Sequence, residues 1–217
     1  MLFDALPRDP ANPIPGVVHL PNFLPLEQQA ALVTQARGIA RQVAGTPVAM
    51  RKPVLASGQM KAWMLSLGWY WQTQPYRLVQ EVGGYAVPPV PENFQALASA
   101  VMDVARGVDK QIGLTLKVET ALVNFYPPGD GMGLHVDAEE ESDNAVVSLS
   151  IGEETVFRIE GPDGPVDLLL MSGDALVFGG PARRARHGVK GARPGTGPEG
   201  TGLKDGRINI TMRQVLR

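Results

Sequence analysis

One of the three histidines in this chain stands two residues before an aspartate, in 131-GMGLHVDAEEE-141. Side chains at i and i+2 of an extended strand project the same way, so His135 and Asp137 would present an imidazole and a carboxylate together. Iron(II) used for oxygen chemistry needs such a mixed set, and two histidines with one carboxylate provide it. The pair alone is a weak indication, because most His-x-Asp pairs are incidental.

The third ligand should come from a later strand, and two histidines remain. His187, in 182-ARRARHGVKG-191, follows the predicted strand 174-DALVFGG-180 far enough from His135 for several strands to lie between them. His19, in 17-VVHLPNF-23, is interpreted as a structural histidine at the start of a strand. His187 is therefore the predicted third ligand.

In the last predicted strand, 207-RINITMRQ-214, polar and apolar residues alternate with a period of two. Ile208, Ile210 and Met212 share one face. The opposite face carries the polar residues Arg207, Asn209, Thr211 and Arg213. Taken alone, this pattern equally describes an edge strand with its polar face in water.

A second strand, 121-ALVNFYPPG-129, repeats the separation with Asn124 and Tyr126 on one face. Three polar sets in one β-rich chain could line a small barrel or jelly roll, whose interior can hold one small ligand. Arg207 and Arg213 would suit an anion, because a guanidinium pairs with a carboxylate bidentately and stays charged when buried.

Helices and strands must position these residues. Apolar periodicity predicts helices over Leu26–Val43 and Glu92–Arg106, both packed on a sheet. Residues 45–90 lack a clear period and are interpreted as loops and short strands that cover something. From about residue 117, short β-branched runs alternate with turns, which indicates a sandwich or barrel. These runs are 118–126, 145–152, 155–160, 166–171, 174–180 and 207–214.

Composition restricts the class of protein. The chain has 217 residues, 44% of them hydrophobic and 19% charged, which is typical of one globular domain. The net charge of −2 excludes a global basic field, so nucleic-acid binding would need a local patch. Without cysteine there is no disulfide or thiol nucleophile. With no signal peptide or long apolar run, we expect a cytoplasmic protein without membrane contact.

Together, these motifs resemble the AlkB family of iron(II)/2-oxoglutarate-dependent dioxygenases. Residues 119–214 are similar to that family in motif order and spacing. The stretch 67-LGWYWQTQPY-76 also resembles the substrate-recognition lid of its bacterial members. The motifs that carry the resemblance are Asn124-x-Tyr126, His135-x-Asp137, His187 and Arg207-x-Asn209-x-Thr211-x-Arg213.

The resemblance implies an α+β, β-rich fold: a double-stranded β-helix, or jelly roll, with supporting N-terminal helices. The chain 1–217 would be one catalytic domain, with a nucleotide-recognition lid at about 45–90 and a jelly-roll core at about 117–215. His135, Asp137 and His187 would bind iron(II). Residues implied to form the 2-oxoglutarate pocket are Arg207 and Tyr126 at its distal carboxylate, Arg213 and Asn124 at its chelating end, and Asn209 and Thr211 beside them.

The implied reaction is oxidative demethylation of N-alkylated bases, with O₂ and 2-oxoglutarate consumed and succinate, CO₂ and formaldehyde released. The partner would be single-stranded DNA, or a base flipped from a duplex, with RNA as a second candidate and the protein a monomer. Trp69 and His135 would sandwich the base, Tyr76 would contact the backbone, and Glu139 would read the exocyclic amine.

The sequence also departs from the family. Phe178 replaces a usual tryptophan and is interpreted as a core substitution, and 50-MRKPVLASGQMKAW-63 lacks a usual tyrosine. Glu140 and Glu141 are expected to be solvated, and Trp63 and Trp71 are expected to pack under the lid. Basic residues could offset the acidic run beside phosphates or form a solvated face: Arg51, Lys52, Lys61, Arg183, Arg184 and Arg186.

Two alternatives stay open. The divergent lid allows the same oxygenase chemistry on a protein or small-molecule substrate. A cupin-like jelly roll that binds a metal or small acid without turnover is the other class, and the intact set of ligands and arginines argues against it.

Overall fold

The computed structural model describes residues 8–56, 58–73 and 75–217 of the chain. The first seven residues of the predicted domain 1–217, and positions 57 and 74 of the predicted lid, lie outside the described residues. Secondary-structure elements are numbered in chain order throughout.

Two β-sheets form the centre of the fold. The larger one has seven strands in the spatial order β1 (Ala11–Ile14), β2 (Val17–Leu20), β15 (Ala175–Phe178), β12 (Val146–Gly152), β17 (Arg207–Arg213), β10 (Thr120–Tyr126) and β5 (Trp63–Leu67). The smaller one has four strands in the order β11 (Met132–His135), β16 (His187–Val189), β13 (Thr155–Gly161) and β14 (Gly164–Leu170).

Three two-stranded ribbons lie within the predicted lid at 45–90. They are β3 (Val54–Leu55) with β4 (Gly58–Gln59), β6 (Tyr70–Thr73) with β7 (Tyr76–Val79), and β8 (Glu81–Val82) with β9 (Tyr85–Ala86). The interpretation of this region as loops and short strands is confirmed, with one exception. β5 lies in the same range but pairs with β10 and belongs to the large sheet.

One face of the large sheet packs against both helices. Alternate residues of β17 and β12, such as Ile210 and Leu149, enter this main core, because a strand turns every second side chain to the same side. The opposite face turns toward the small sheet, where Phe157 and Ile159 form a second cluster with Phe178. In the described residues the two sheets remain separate, so the architecture is the predicted jelly roll and not a closed barrel.

The helices are α1 (Leu26–Gln42) and α2 (Glu92–Val108). In α2 the predicted apolar stripe is confirmed, because all of its members from Phe94 to Ala105 are buried. In α1 most of the apolar stripe is confirmed, because Val33 and Ala36 are buried beside Leu32, but Leu26 at the start of the helix is 46% exposed. Among the described residues, no helix is long and apolar enough to cross a membrane.

Candidate active site

The predicted metal ligands converge between the two sheets. His135 ends β11 and His187 begins β16, and the antiparallel register places them directly opposite each other. Their rings lie 4.5 Å apart. Asp137 approaches both, with carboxylate oxygens 3.7 Å from Nε2 of each histidine. One ligand atom from each of the three residues lies within 4.8 Å of the others, so they can bind one metal ion.

Backbone carbonyls orient both imidazoles. Nδ1 of His135 lies 2.9 Å from the carbonyl oxygen of Gly133, and Nδ1 of His187 lies 3.0 Å from that of Ala185. A carbonyl only accepts, so Nδ1 carries the proton and Nε2 faces Asp137 with a free lone pair. Burial lowers the pKa of His187 to about 4, which keeps this ring in the neutral form that binds metals. Two such nitrogens with one carboxylate fit iron(II).

An apolar wall backs His187. The ring of Phe178 lies 4.8 Å from the imidazole, and that of Phe157 lies 5.6 Å away. Phe178 is buried in the second apolar cluster, which agrees with its interpretation as a core substitution. These rings limit the movement of the third ligand.

The polar faces predicted on two strands do meet. β17 pairs with β10, and the register sets Arg207 opposite Tyr126 and Asn209 opposite Asn124. On its other side β17 pairs with β12, whose Ser148 and Ser150 lie opposite Thr211 and Asn209. These two serines were missed from the sequence, although their alternation with Val147 and Leu149 is the same period-two signal. The Asn209 amide donates to Ser148 Oγ at 2.6 Å and accepts from Thr211 Oγ1 at 2.7 Å.

Arg207 is a buried cation that has no acidic partner among the described residues. Its Nε donates to Ser150 Oγ at 3.0 Å, and its guanidinium carbon lies 5.4 Å from the centre of the Tyr126 ring. Its Nη1 is buried without a hydrogen-bond partner, and no carboxylate of a described residue lies within ion-pair distance. Burial lowers the pKa of Arg207. Because an unpaired buried charge is costly, this site is suited to an external anion.

Arg213, at the other end of β17, is already paired. Its Nη2 lies 2.7 Å from Asp137 Oδ2, in an ion pair that lacks hydrogen-bond geometry, and its Nη1 donates to Glu140 Oε1 at 2.9 Å. Burial lowers the pKa of Arg213, but the two carboxylates outweigh burial and the net shift is upward. Burial also raises the pKa of Asp137, and Arg213 reverses that change. Arg213 keeps Nε free, so its contact with 2-oxoglutarate stays a prediction.

A cavity of about 980 Å³ opens above these residues. That volume is in the range of ligand sites, and the metal ligands and both arginines of β17 line it. Asn124 lines it too, with a buried Oδ1 that lacks a partner among the described residues. Glu139, the predicted reader of the base, also lines this cavity.

The predicted lid at 45–90 supplies Trp71 and Tyr76 to the cavity, with ring centres 5.9 Å apart. Trp69, the expected stacking residue, is outside the lining. It follows Gly68, whose φ of 75° lies in the left-handed region, so Trp69 lies in the turn before β6. Tyr70 packs into a separate apolar cluster, and Trp71, next along the strand, faces the opposite way. The expectation that Trp71 is only packed under the lid is therefore wrong.

The six basic residues do not form one patch. Arg51 binds the Tyr70 hydroxyl and the Trp71 carbonyl inside the lid. Lys61 lines the cavity, is 71% exposed and lies 3.9 Å from Asp130. Lys52 lies over Trp63, itself exposed, so the prediction of a packed Trp63 is wrong. Arg186 pairs with Glu160 at the surface.

Three charged residues beside the metal ligands differ from expectation. Glu140, expected to be solvated, is buried, and so is Arg183, which contacts its carboxylate. Arg184 is half-buried against the segment that follows Asp137. Acidic and basic runs usually indicate solvated loops, so the sequence carried no signal for this pairing.

Comparisons with known proteins agree with this geometry. Residues 16–213 match the 2OG-Fe(II) oxygenase superfamily. The "Alpha-ketoglutarate-dependent dioxygenase AlkB homolog" of Caulobacter vibrioides is 34% identical over 214 residues, which cover 95% of this chain and 90% of that protein. The solved structure of OsALKBH1 superposes with a TM-score of 0.83 at 26% identity, covering 95% of this chain and 100% of that one.

A third relative is the "DNA N(6)-methyladenine demethylase ALKBH1C" of Arabidopsis thaliana. It is 31% identical over 226 residues, which cover 92% of this chain. The chain spans about half the length of this relative, 48%.

Proposed function

Because the chain belongs to the AlkB family within the 2OG-Fe(II) oxygenase superfamily, we propose that it demethylates N-alkylated bases in nucleic acid by oxidation. The observation that supports this proposal is that one cavity contains both a metal-ligand cluster and a site for an anion. Three metal ligands converge at one point, and a buried arginine in the same lining has no acidic partner among the described residues.

The residues fit iron(II) and 2-oxoglutarate. His135, Asp137 and His187 would hold the metal, and Arg207 would take the distal carboxylate of 2-oxoglutarate. Iron(II) with 2-oxoglutarate and O₂, when bound, hydroxylates an N-methyl carbon, so that succinate, CO₂ and formaldehyde leave and the base is restored. The apolar wall at Phe178 keeps water from the His187 side.

The protein contributes orientation at each end of the cosubstrate pocket. Ser150 holds Arg207 through Nε, which leaves the Nη1 side for the ligand. Arg213 fixes the Asp137 carboxylate beside both imidazoles. The hydrogen bonds of Ser148 and Thr211 fix the Asn209 amide between the two arginines.

Base recognition is proposed for the lid side of the cavity. Trp71 and Tyr76 offer adjacent ring faces there, and the His135 side chain, 37% exposed, lies in the same lining. A base buried in a duplex cannot reach the metal ligands, so the substrate is single-stranded or has its base flipped. Trp71 therefore takes the stacking role first expected of Trp69, and Glu139 remains the proposed reader of the base.

Weak positive charge marks the rim of the cavity. Lys61 is the most exposed basic residue in the lining, and its ion pair with Asp130 is long, at 3.9 Å. We propose that Lys61 contacts a phosphate of the bound strand. We further propose that the enzyme is a single-domain monomer that acts in the cytoplasm. Its substrate would be DNA, with RNA as a further substrate.

The test is a reaction with defined products. Protein purified without oxygen is mixed in air with iron(II), 2-oxoglutarate and single-stranded oligonucleotides, in DNA and RNA versions, that carry methyl groups on different base nitrogens. Succinate, formaldehyde and the restored base are measured together. We expect all three in equal amounts for at least one oligonucleotide and none from Asp137→Ala.

Each failure has a distinct meaning. Succinate without a restored base for any oligonucleotide would keep the oxygenase and reject nucleic acid, in favour of a protein or small-molecule substrate. A lack of succinate under all conditions would favour a binding module. Full activity in Asp137→Ala would show that the ligand assignment is wrong.

A further inference from the structure

A chain of alternating charges is buried behind the metal ligands. Arg183 Nη2 lies 3.3 Å from Glu140 Oε2, and both side chains are 2% exposed. The other oxygen of Glu140 accepts from Arg213, which in turn lies against Asp137. Four buried charges therefore run in the order plus, minus, plus, minus, and the last is the metal ligand.

Arg183 also binds backbone. Its Nε donates to the carbonyl oxygen of Asn144 at 2.8 Å, and its Nη1 donates to that of Asp137 at 3.2 Å. One guanidinium thus contacts both ends of the segment 137–144, while its third nitrogen pairs with Glu140. A planar fork of five donors can make these bonds at once, whereas a lysine ammonium cannot match their directions.

Arg184 holds the same segment from the outside. Its Nη1 donates to the carbonyl oxygen of Asp137 at 2.5 Å, and its Nη2 donates to those of Glu140 at 2.9 Å and Ser142 at 3.2 Å. The carbonyl of Asp137 therefore accepts from two arginines. In a sheet, the backbone carbonyls accept hydrogen bonds from a neighbouring strand. In this segment, arginine side chains supply those donors instead.

These arginines connect two metal ligands across the fold. Arg183 precedes His187 by one short segment, in which Ala185 orients the imidazole through its carbonyl. Asp137, the residue they bind, lies on the other side of the centre. Arg183 therefore links Asp137 to the segment that carries His187, in addition to the pairing of β11 with β16.

Glu140 offsets the electrostatic cost of burying two arginines close together. Arg183 and Arg213 are both buried; burial lowers the pKa of Arg183, the nearby positive charge of Arg213 also lowers it, and Glu140 acts in the opposite direction. The carboxylate between them offsets both charges, and removing one member would leave an uncompensated buried charge.

We propose that Arg183, with Glu140 as its link to Arg213, is a positioning residue that sets the geometry of the metal site. Arg183 touches no substrate in this arrangement and acts through Asp137 and His187. The proposal goes beyond the proposed function but uses the same ligand set. Its test therefore measures metal binding, which does not require that the nucleic-acid substrate be right.

The experiment is a calorimetric titration of the metal-free protein with Mn(II). It compares wild type with Arg183→Gln, Arg183→Lys and Glu140→Gln. Changes to residues that orient metal ligands typically weaken affinity by about 10- to 100-fold. We expect the affinity for Mn(II) to fall by at least about 10-fold in each variant. Arg183→Lys should lose at least as much affinity as Glu140→Gln. The matched control is Arg186→Gln, which changes an exposed arginine one residue from His187 and should leave Mn(II) affinity unchanged.

A purely structural role predicts a different result. In that case the variants would melt at a lower temperature but bind Mn(II) like wild type while folded, and this outcome would overturn the proposal. Thermal melting by circular dichroism fixes a temperature at which each variant is folded. If Arg183→Gln does not fold, the two remaining variants decide, and normal affinity in either one rejects the idea. If wild type binds Mn(II) but demethylates nothing, only the proposed substrate fails.

Discussion

The two ends of β17 carry the same side chain in opposite surroundings. At one end, Arg207 is buried with a serine, an aromatic ring and no carboxylate in ion-pair range among the described residues. At the other end, Arg213 is buried between the carboxylates of Asp137 and Glu140. The first arginine still requires an anion from outside. The second is neutralised by the protein, so its charge serves to hold a metal ligand.

Two arginines of one strand therefore have different roles: Arg207 is suited to bind an anion, and Arg213 positions Asp137. Both side chains lie on the same face, six residues apart, and a period-two pattern treats them alike. What differs is the neighbour that each meets from another part of the chain. Three of the predictions below each change one end of β17 and one changes the lid beside it, in order of decreasing effect.

The largest effect is expected from Arg213→Met. Removing this guanidinium leaves the buried carboxylate of Asp137 without its arginine partner and Glu140 with Arg183 alone, which typically costs about 3–5 kcal/mol. Urea unfolding of the protein without metal or cosubstrate should show this loss in the free energy of unfolding. A variant as stable as wild type would mean that the Arg213 end is not held by its ion pairs.

Arg207→Met should act in the opposite direction on stability. Without cosubstrate, the change removes an unpaired buried charge, so we expect the free energy of unfolding to stay equal or to rise by about 1 kcal/mol. Binding of 2-oxoglutarate should weaken by about 2 kcal/mol or more, roughly 30-fold, because the partner of its carboxylate is lost. Calorimetry in the presence of Mn(II) measures this, and unchanged affinity would reject Arg207 as the anion site.

An intermediate effect is expected in the lid. Trp71→Ala should weaken binding of a methylated single-stranded oligonucleotide by about 1–3 kcal/mol, the usual contribution of one stacked base. Trp69→Ala is the matched control, because Trp69 lies outside the cavity lining. Fluorescence anisotropy with 2-oxoglutarate and Mn(II) present compares the two. A larger loss in Trp69→Ala would restore the original assignment.

The smallest effect belongs to Ser150→Ala. This change removes the one hydrogen bond that fixes Arg207 Nε, at 3.0 Å. We expect the Kd for 2-oxoglutarate to rise by about tenfold or less, since such a bond contributes about 1 kcal/mol. The Mn(II) affinity should not change, because Ser150 does not contact the Arg213 end.

Much of the fold could be predicted because it rests on local periodicity. The stripe of α2 was correct, since a period of 3.6 with a proline before it describes one buried face. The six strands predicted from about residue 117 are present, but the short strands β11 and β16, which carry His135 and His187, were not among them. The helix α1 was correct in extent and in most of its buried face, where Val33 and Ala36 enter the core, but Leu26 at its start is exposed.

The site was predictable to a similar degree, and for a similar reason. Residues on alternating positions of β10 and β17 must share a face, and their register then brings Asn124 opposite Asn209. The buried charges could not be anticipated. Glu140 and Arg183 are 43 residues apart, and each lies in a run of like-charged residues typical of a solvated loop.

The sequence by itself determined which side chains point the same way, because backbone geometry sets the period of a strand or helix locally. It thereby predicted the three proposed metal ligands, which the fold brings together, and both arginines of β17. Tertiary structure alone decided which charges meet. Burial and pairing depend on segments distant in sequence, so only the folded chain distinguishes Arg207, left for a ligand, from Arg213 and Arg183, which hold the site together.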